Sequence, residues 1–485
     1  MRSGNWILRF GLVLPLFAVA TVAAASGDLR VVNAAKKHDM NAVRALLKEK
    51  ADVNARLGDG ATALHWAAYW EDLEATDLLI RAGASVDPVN DYGATPLWLA
   101  CSNGNTSVVG RLLKAGAKPN TALPSGETPL MTAAHTGKVG VVAALIARGA
   151  DVNAKESTMG QTALMWAIAE HHGDIVRTLV EHGADVHAHS DGGFSPFLFA
   201  ARSGDIDTAK FLISRGADFK DAAKDKTTAL HVSVVRGHIP FVKFLLDLGA
   251  DPNNIDPGYT ALHWAAGTWE SIFTHEYVFA PGAATLEHEW MVLGGVPATD
   301  KQDLIKALLA HGADVNARVV RSPPRYGSSL FHGNLLTGGT PFYLATVTAD
   351  LPTMRLLLAS GADPKINAND GTTPLIMAVG LGRTDSETLI PEARHIEAVK
   401  VCLDLGQDIN GANAAGVTPM HAAAIAGLDG MVQYLFDHGA KLNTKNKKGE
   451  TPTKIADGYE EASMLYTRPT TAALLRKLGG LAKVE

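Results

Sequence analysis

Two His-Glu pairs are the residues of this sequence best suited to hold a metal ion. They are His275-Glu276 and His288-Glu289, and imidazole and carboxylate are ligands that zinc takes in proteins. The sequence between them lacks the His-Glu-x-x-His arrangement, which places two imidazoles on one face of a helix. These four residues are therefore weak metal candidates, and no cofactor is predicted.

Catalytic signatures of other kinds are missing from the sequence. It has no G-x-S-x-G elbow, no P-loop, no C-x-x-C pair and no dinucleotide fingerprint after a strand. Four histidines do recur in equivalent positions, at His65, His231, His263 and His421. At the equivalent positions of other repeats stand Trp98, Met131, Met165, Leu198, Tyr343 and Ile376. These residues could not replace histidine if it were a catalytic group in each repeat. The chain is predicted not to be an enzyme.

These histidines belong to a phrase that recurs along the chain, in which Thr or Ser precedes Pro or Ala and an apolar residue. Most steps between successive phrases are 32 to 34 residues, and their first residues are Thr62, Thr95, Thr128, Thr162, Ser195, Thr228, Thr260, Thr340, Thr373, Thr418 and Thr451. A second phrase, mostly Gly-Ala-Asp, follows 21 residues after the first in each undisturbed repeat. Self-similarity at this period indicates a repeat architecture.

The chemistry of each phrase predicts its place in a helix pair. Thr95 can cap a helix start, and Pro96 suits the first helical position, where no amide partner is needed. A second apolar stretch ends at glycines such as Gly149, which can adopt the left-handed conformation that terminates a helix. The remaining residues of each unit are rich in Asn, Asp and Gly and suit a hairpin-like connection.

This pattern resembles the ankyrin repeat family, whose signature of about 33 residues includes T-P-L-H-x-A. The match is close at residues 62–68, 260–266 and 418–423, and a first unit at residues 28–57 brings the number of repeats to about 12. The resemblance implies an all-α solenoid of helix-turn-helix units with β-hairpin-like connections and a groove that binds other proteins. It also implies that the recurring histidine supports its turn by hydrogen bonding. Three tryptophans in the next position are expected to pack in the core: Trp66, Trp166 and Trp264.

Four regions are predicted along the 485 residues. Residues 1–25 form a signal peptide, because Arg2 and Arg9 precede an apolar run that ends in Ala23-Ala24-Ala25. Residues 26–266 hold regular repeats with an N-terminal cap, residues 267–414 hold repeats with three insertions, and residues 415–485 hold the last repeats and a cap. An uncleaved N-terminal anchor is the alternative to the signal peptide.

Composition and charge limit the classes of partner that the chain can bind and the places where it can be located. The formal charge of -6 and the lack of a basic stripe argue against nucleic acid, and no later apolar run is long enough to span a membrane after signal removal. Cys101 and Cys402 lie about nine repeats apart, too far for a disulfide. We expect a monomeric exported protein. The periplasm is the favoured location, and secretion from the cell is the alternative.

Three insertions break the period, all between residues 267 and 393. The first adds 31 residues and the third adds 12, each between the two helices of one repeat, while the second adds 16 residues to a hairpin. Insertions in repeat proteins often lie on the binding face. Arg and aromatic residues are enriched among the side chains that dominate binding at protein interfaces. The expected partner-binding residues are therefore Arg318, Arg321, Arg325, Tyr326, Phe331, Trp269 and Trp290. Three hypotheses follow: a protein-binding scaffold, an enzyme or metal-binding protein that uses the insertions, or a structural spacer in the envelope.

Overall fold

The computed structural model describes residues 28–267, 298–321, 335–381, 390–461 and 464–482. Before the first gap lie the helices α1 (Arg30–Lys36), α2 (Met40–Lys48), α3 (Ala63–Tyr69), α4 (Leu73–Arg81), α5 (Pro96–Asn103), α6 (Thr106–Lys114), α7 (Pro129–Thr136), α8 (Val139–Ile146), α9 (Ala163–Ala169), α10 (Gly173–Glu181), α11 (Pro196–Ser203), α12 (Ile206–Ser214), α13 (Ala229–Val235), α14 (Ile239–Asp247) and α15 (Ala261–Ala266).

After that gap lie α16 (Ala298–Ala310), α17 (Pro341–Val347), α18 (Leu351–Ala359), α19 (Pro374–Val379), α20 (Glu392–Asp404), α21 (Pro419–Ala426), α22 (Asp429–Asp437), α23 (Pro452–Asp457) and α24 (Pro469–Lys477). In the described residues these helices form twelve consecutive pairs, which we number repeats 1 to 12. The prediction of about 12 helix-turn-helix units in an all-α solenoid is confirmed.

The helix boundaries follow from the predicted capping chemistry. The Thr95 side chain accepts a hydrogen bond from the Trp98 amide at 3.1 Å, and Pro96 occupies the first turn. The helix ends at Gly104, which has a φ of 75° and lies so close to Lys138 that an added Cβ would meet the Lys138 side chain at 2.5 Å. The left-handed conformation and the close contact both favour glycine at this position.

The helices stack in two layers around one core. The first helix of each repeat packs on the first helix of the next, from α1 and α3 through to α21 and α23, and most second helices stack likewise. A continuous set of buried side chains runs from Val31 in repeat 1 to Leu475 in repeat 12. The buried Cys101 and Cys402 are both free, as predicted, and burial raises the pKa of each thiol, that of Cys402 to about 12.

Asparagine side chains connect consecutive repeats at the hairpins. The Asn153 side chain donates to the Gly183 carbonyl at 3.0 Å and accepts from the Asp185 amide at 2.8 Å. The same pair of bonds recurs at Asn54, Asn120, Asn253, Asn316, Asn410 and Asn443. Each amide satisfies backbone groups of the next repeat, so the array depends on nearest-neighbour contacts.

Asn153→Ala is expected to lower the free energy of unfolding by about 1 kcal/mol, because two exposed hydrogen bonds between repeats 4 and 5 are lost. Urea denaturation followed by far-UV circular dichroism measures this change. Asn33→Ala is the matched control, since Asn33 is exposed in α1 and outside the connection. Equal urea midpoints for the two variants would contradict a stabilising role of the Asn153 bonds.

Two insertions lengthen the second helix of their repeat. α16 and α20 each have 13 residues, whereas α4 and α6 have nine, and all end two residues before the glycine of the second phrase. The first and third insertions therefore supply an additional helical turn at the start of these helices. Sequence spacing gave the number of added residues without showing that some of them continue a helix.

The last repeat contains an insertion that the sequence analysis missed. Strands β1 (Tyr459–Glu461) and β2 (Met464–Tyr466) pair antiparallel between α23 and α24, with Tyr459 opposite Tyr466. The prediction that all insertions lie between residues 267 and 393 is therefore wrong. Repeats 8, 10 and 12, every second repeat of the C-terminal half, have additional residues between their two helices. None of the described helices combines the length and apolar character needed to cross a bilayer.

Candidate functional site

The recurring histidines connect the start of one helix to the following repeat. The Thr62 amide donates to His65 Nδ1 at 3.1 Å, and His65 Nε2 donates to the Ala94 carbonyl at 3.0 Å. Because Nδ1 accepts, the proton of the neutral ring lies on Nε2. The predicted structural role is confirmed, and the Nε2 bond to the next repeat recurs at His231, His263 and His421.

All four recurring histidines are buried, with at most 2% of their surface exposed. Burial lowers the pKa of both His231 and His263 to about 4, against the opposing effect of the carbonyls that accept their hydrogen bonds. The Tyr259 ring packs edge-on against His231 at 5.7 Å between ring centres. At neutral pH both rings are uncharged structural groups.

The three tryptophans predicted as core residues differ in exposure. Trp264 is buried, as predicted, with 4% of its surface exposed. Trp66 and Trp166 are partly buried and pack against the edge of the core, so the prediction is confirmed in part for these two. Lys36 Nζ lies 5.3 Å from the centre of the Trp66 ring, and the His135 ring contacts Trp166 edge-on.

An exposed aromatic group lies at the end of α3. Tyr69 and Trp70 are 49% and 41% exposed, and their ring centres are 5.0 Å apart. Trp66 packs edge-on against Tyr69 at 5.6 Å, and the His38 ring stacks on Trp70 at 5.5 Å. We call Trp66, Tyr69, Trp70 and His38 the N-terminal aromatic cluster.

The N-terminal aromatic cluster is held in place by its neighbours. Trp70 Nε1 donates to the Lys36 carbonyl at 3.3 Å, His38 pairs with Asp72 at 3.0 Å, and the Asn103 side chain donates to the Tyr69 carbonyl at 2.9 Å. Exposed aromatic rings on such a rigid base suit protein interfaces. Sequence analysis missed this cluster, although a signal existed: Tyr69-Trp70 stands where repeats 3 and 5 have Ser102-Asn103 and Ala169-Glu170.

Two of the seven predicted partner-binding residues are described, and both bind their own chain. Arg318 donates to the Gly338 and Asn367 carbonyls, each at 3.0 Å. Arg321 donates twice to the Pro257 carbonyl, at 3.1 and 2.7 Å. These guanidinium groups brace the hairpin of the second insertion against its neighbouring repeats.

The other predicted site residues lie outside the described residues, so their roles stay predictions. They are the partner-binding Trp269, Trp290, Arg325, Tyr326 and Phe331 and the metal candidates His275, Glu276, His288 and Glu289. The described part of the chain contains no group of three or more His, Cys, Asp or Glu residues arranged to hold a metal ion.

A buried ion pair lies where the first insertion leaves the array. Lys301 Nζ donates to Asp350 Oδ2 at 2.7 Å and to the Gly267 carbonyl at 2.9 Å, and Lys301 is 7% exposed. Burial alone would raise the pKa of the Asp350 carboxyl, but the charge and hydrogen bond of Lys301 outweigh it and hold this pKa below its usual value. The pair joins α16 to the start of α18.

Comparisons with known proteins agree with this architecture. The family model for ankyrin repeats (3 copies) matches residues 31–123, 116–190, 197–278, 342–446 and 388–465. Human ankyrin repeat and SOCS box protein 16 is 34% identical over 203 residues, which cover 32% of this chain and 44% of that protein. Human B-cell lymphoma 3 protein is 31% identical over 262 residues, 52% of each chain.

Among solved structures, the human ASB11 ankyrin repeat domain matches with 27% sequence identity and a TM-score of 0.39, covering 42% of this chain and 90% of that domain. The chain spans less than half the length of the first curated relatives that it matches. The family model, by contrast, covers most of the chain. This chain belongs to the ankyrin repeat family.

Proposed function

We propose that this chain is an exported scaffold that binds a partner protein through its layer of first helices and its hairpins, and that it catalyses no reaction. The N-terminal aromatic cluster carries the proposal, because it presents Tyr69 and Trp70 to solvent on a helix fixed by both neighbouring repeats. Ankyrin repeats typically mediate contacts between proteins, and this family membership supports the same role here.

The rigidity of the array supports tight binding. First helices capped as α5 is, and repeats connected by side-chain amides, need little further ordering when a partner docks, so less entropy is lost. Aromatic anchors then contribute a large contact area with few rotatable bonds. The partner contact is therefore expected to depend on few side chains within a wide surface.

Tyr69→Ala with Trp70→Ala is expected to weaken partner binding by about 2 kcal/mol or more, because two exposed aromatic anchors are removed. The partner is first captured from the envelope fraction with the exported chain, and its affinity is then measured by isothermal titration calorimetry. Phe436→Ala is the control, since Phe436 is exposed to 36% on the second-helix layer in α22. An unchanged affinity of the double variant would show that the N-terminal aromatic cluster does not contribute to the interface.

The insertions form a second part of the proposed interface. A chain without residues 274–296 and 322–334 tests this proposal while keeping α16 and the hairpin bonds of Arg318 and Arg321. A partner lost by this chain would assign binding to the insertions, and equal capture would assign it to the regular repeats.

Export and a periplasmic location are part of the same proposal, supported by the signal-like residues 1–25. Cell fractionation followed by N-terminal sequencing tests this step. A mature chain that starts at Ser26 in the periplasmic fraction is the expected result, and a cytosolic chain that keeps Met1 would contradict it.

A further inference from the structure

The hairpin between repeats 11 and 12 carries a concentrated positive charge. Residues 438–456 contain five lysines and a single carboxylate, that of Glu450. Four of these lysines lie on the hairpin itself, and all four are exposed: Lys441, Lys445, Lys447 and Lys448. We call these four residues the lysine hairpin. The chain as a whole has the opposite sign, with a formal charge of -6.

Few negative charges of the surrounding segments offset the lysine hairpin. Glu450 and Asp437, the nearest carboxylates along the chain, each accept a hydrogen bond from a side-chain amide, at 2.9 and 2.8 Å. The preceding hairpin, residues 406–417, contains one carboxylate, that of Asp408, and no cation. Three of the four lysines form no ion pair with any residue that the structure describes: Lys441, Lys447 and Lys448. Their charges therefore face solvent with little local compensation.

The hairpin between repeats 6 and 7 has as many charges but a different balance. Residues 216–227 contain three exposed lysines, which are Lys220, Lys224 and Lys226. The same residues contain three aspartates, which are Asp218, Asp221 and Asp225. Because opposite charges lie side by side there, that hairpin has no net charge. The positive charge of the lysine hairpin is therefore not a consequence of lysine content alone.

Hydrogen bonds fix the backbone that carries these lysines. The Lys447 amide donates to a carbonyl of the preceding hairpin at 2.9 Å, and the Lys441 amide donates to the Asn410 side chain at 2.8 Å. On the other side, the Leu481 amide donates to the Asn443 side chain at 2.7 Å, and the Leu481 side chain is 51% exposed. The neighbouring segments thus hold the hairpin in place while its ammonium groups extend into solvent.

The residue types of this surface favour a bilayer over a protein as its ligand. Residues 438–456 contain no Arg, Trp, Tyr or Phe, which are the side chains enriched in the cores of protein interfaces, whereas Lys is depleted there. Ammonium groups on flexible stems are attracted by anionic headgroups without a fixed geometry. The exposed Leu481, next to Asn443, suits the boundary between headgroups and acyl chains.

We propose that the lysine hairpin binds the surface of a bilayer that contains anionic lipids. The headgroup phosphates attract its four ammonium groups, and Leu481 adds an apolar contact. This peripheral binding goes beyond the proposed scaffold function and does not depend on it. The N-terminal aromatic cluster belongs to repeats 1 and 2, so a partner protein and a bilayer would contact different parts of the array.

Co-sedimentation with lipid vesicles tests the proposal, with the chain that begins at Ser26. This chain keeps all twelve repeats and lacks the apolar residues 10–22, which would enter a bilayer by themselves. The probe is a vesicle of equal parts phosphatidylglycerol and phosphatidylcholine, and a vesicle of phosphatidylcholine alone is the uncharged control. We expect binding to the anionic vesicles only, and a decrease at high salt, because salt screens exposed charges.

Two triple variants locate the binding surface. The first replaces three lysines of the lysine hairpin: Lys441→Gln, Lys447→Gln and Lys448→Gln. It should bind anionic vesicles about a hundredfold more weakly, since each lysine near an anionic surface contributes about fivefold. The matched control changes the net charge equally in the hairpin between repeats 6 and 7: Lys220→Gln, Lys224→Gln and Lys226→Gln. Its binding should stay within about threefold of that of the natural chain.

Several results would overturn the proposal. Equal weakening by the two triple variants would assign the attraction to net charge, and equal binding to both kinds of vesicle would exclude the anionic headgroups as the cause. No binding to vesicles, together with binding of labelled decaglutamate that the first triple variant loses, would make the ligand an acidic protein segment. Continued capture of a partner in any of these cases would leave the scaffold function standing.

Discussion

Acidification from pH 7 to pH 4 is expected to destabilise repeats 7 and 8 by about 3 kcal/mol for each of His231 and His263. Burial lowers the pKa of both rings to about 4 in the folded chain, whereas the unfolded chain has the ordinary value of about 6.5. The unfolded state therefore takes up protons first as the pH falls. Stability is full above pH 6.5, declines between pH 6.5 and 4, and changes little below pH 4 through these two groups.

Amide hydrogen exchange of α13 and α15, corrected for the intrinsic effect of pH, measures this loss. The combined His231→Gln and His263→Gln variant should show a flatter dependence on pH, because glutamine keeps the capping geometry and does not titrate. His187→Gln is the control, since His187 is exposed in a hairpin. The same acid sensitivity in the double variant and in the natural chain would assign the effect to other groups.

The large pKa shifts of these two histidines could not be predicted from their motif. Thr-x-x-His occurs at His65, His231, His263 and His421, and burial lowers the pKa of all four. At His231, the Tyr259 ring packs edge-on against the imidazole, and the Tyr259 carbonyl accepts the Nε2 hydrogen. Motif spacing specifies the bond within one repeat, but the following repeat supplies these contacts.

The fold itself could be predicted because its signals are local. Thr95 and Gly104 specify a helix start and stop through capping and backbone conformation, and the same chemistry recurs in register along the chain. The C-terminal hairpin escaped prediction because Gly479 is followed by Gly480 and Leu481, which departs from the Gly-Ala-Asp phrase. Without the Gly-Ala-Asp phrase, the spacing between the two phrases of repeat 12 could not be counted, so its longer connection was not recognised.

The candidate site was less predictable, because it depends on contacts between repeats. Arginine content predicted Arg318 and Arg321 as partner-binding residues, and it could not show that backbone carbonyls of adjacent segments accept hydrogen bonds from both.

Lys301→Ala is expected to lower the free energy of unfolding of the region around repeats 8 and 9 by about 3 to 5 kcal/mol. The substitution leaves the partly buried Asp350 carboxylate without its cation and removes the donor that the Gly267 carbonyl accepts from. Urea denaturation combined with hydrogen exchange of α16 and α18 measures the loss. Lys306→Ala is the control and should cost less than about 1 kcal/mol, since Lys306 and Asp303 form an exposed pair at 3.5 Å.

A double substitution tests whether the uncompensated charge, and not lost packing, explains the effect of Lys301. Lys301→Met with Asp350→Ser removes both charges, and the serine hydroxyl can still cap α18 as Asp350 does through Thr353. The double variant should therefore be more stable than Lys301→Met alone, since no charge is left buried without a partner. If the losses of the single variants Lys301→Met and Asp350→Ser simply add in the double variant, the two side chains contribute independently, and the ion pair does not stabilise the start of the first insertion.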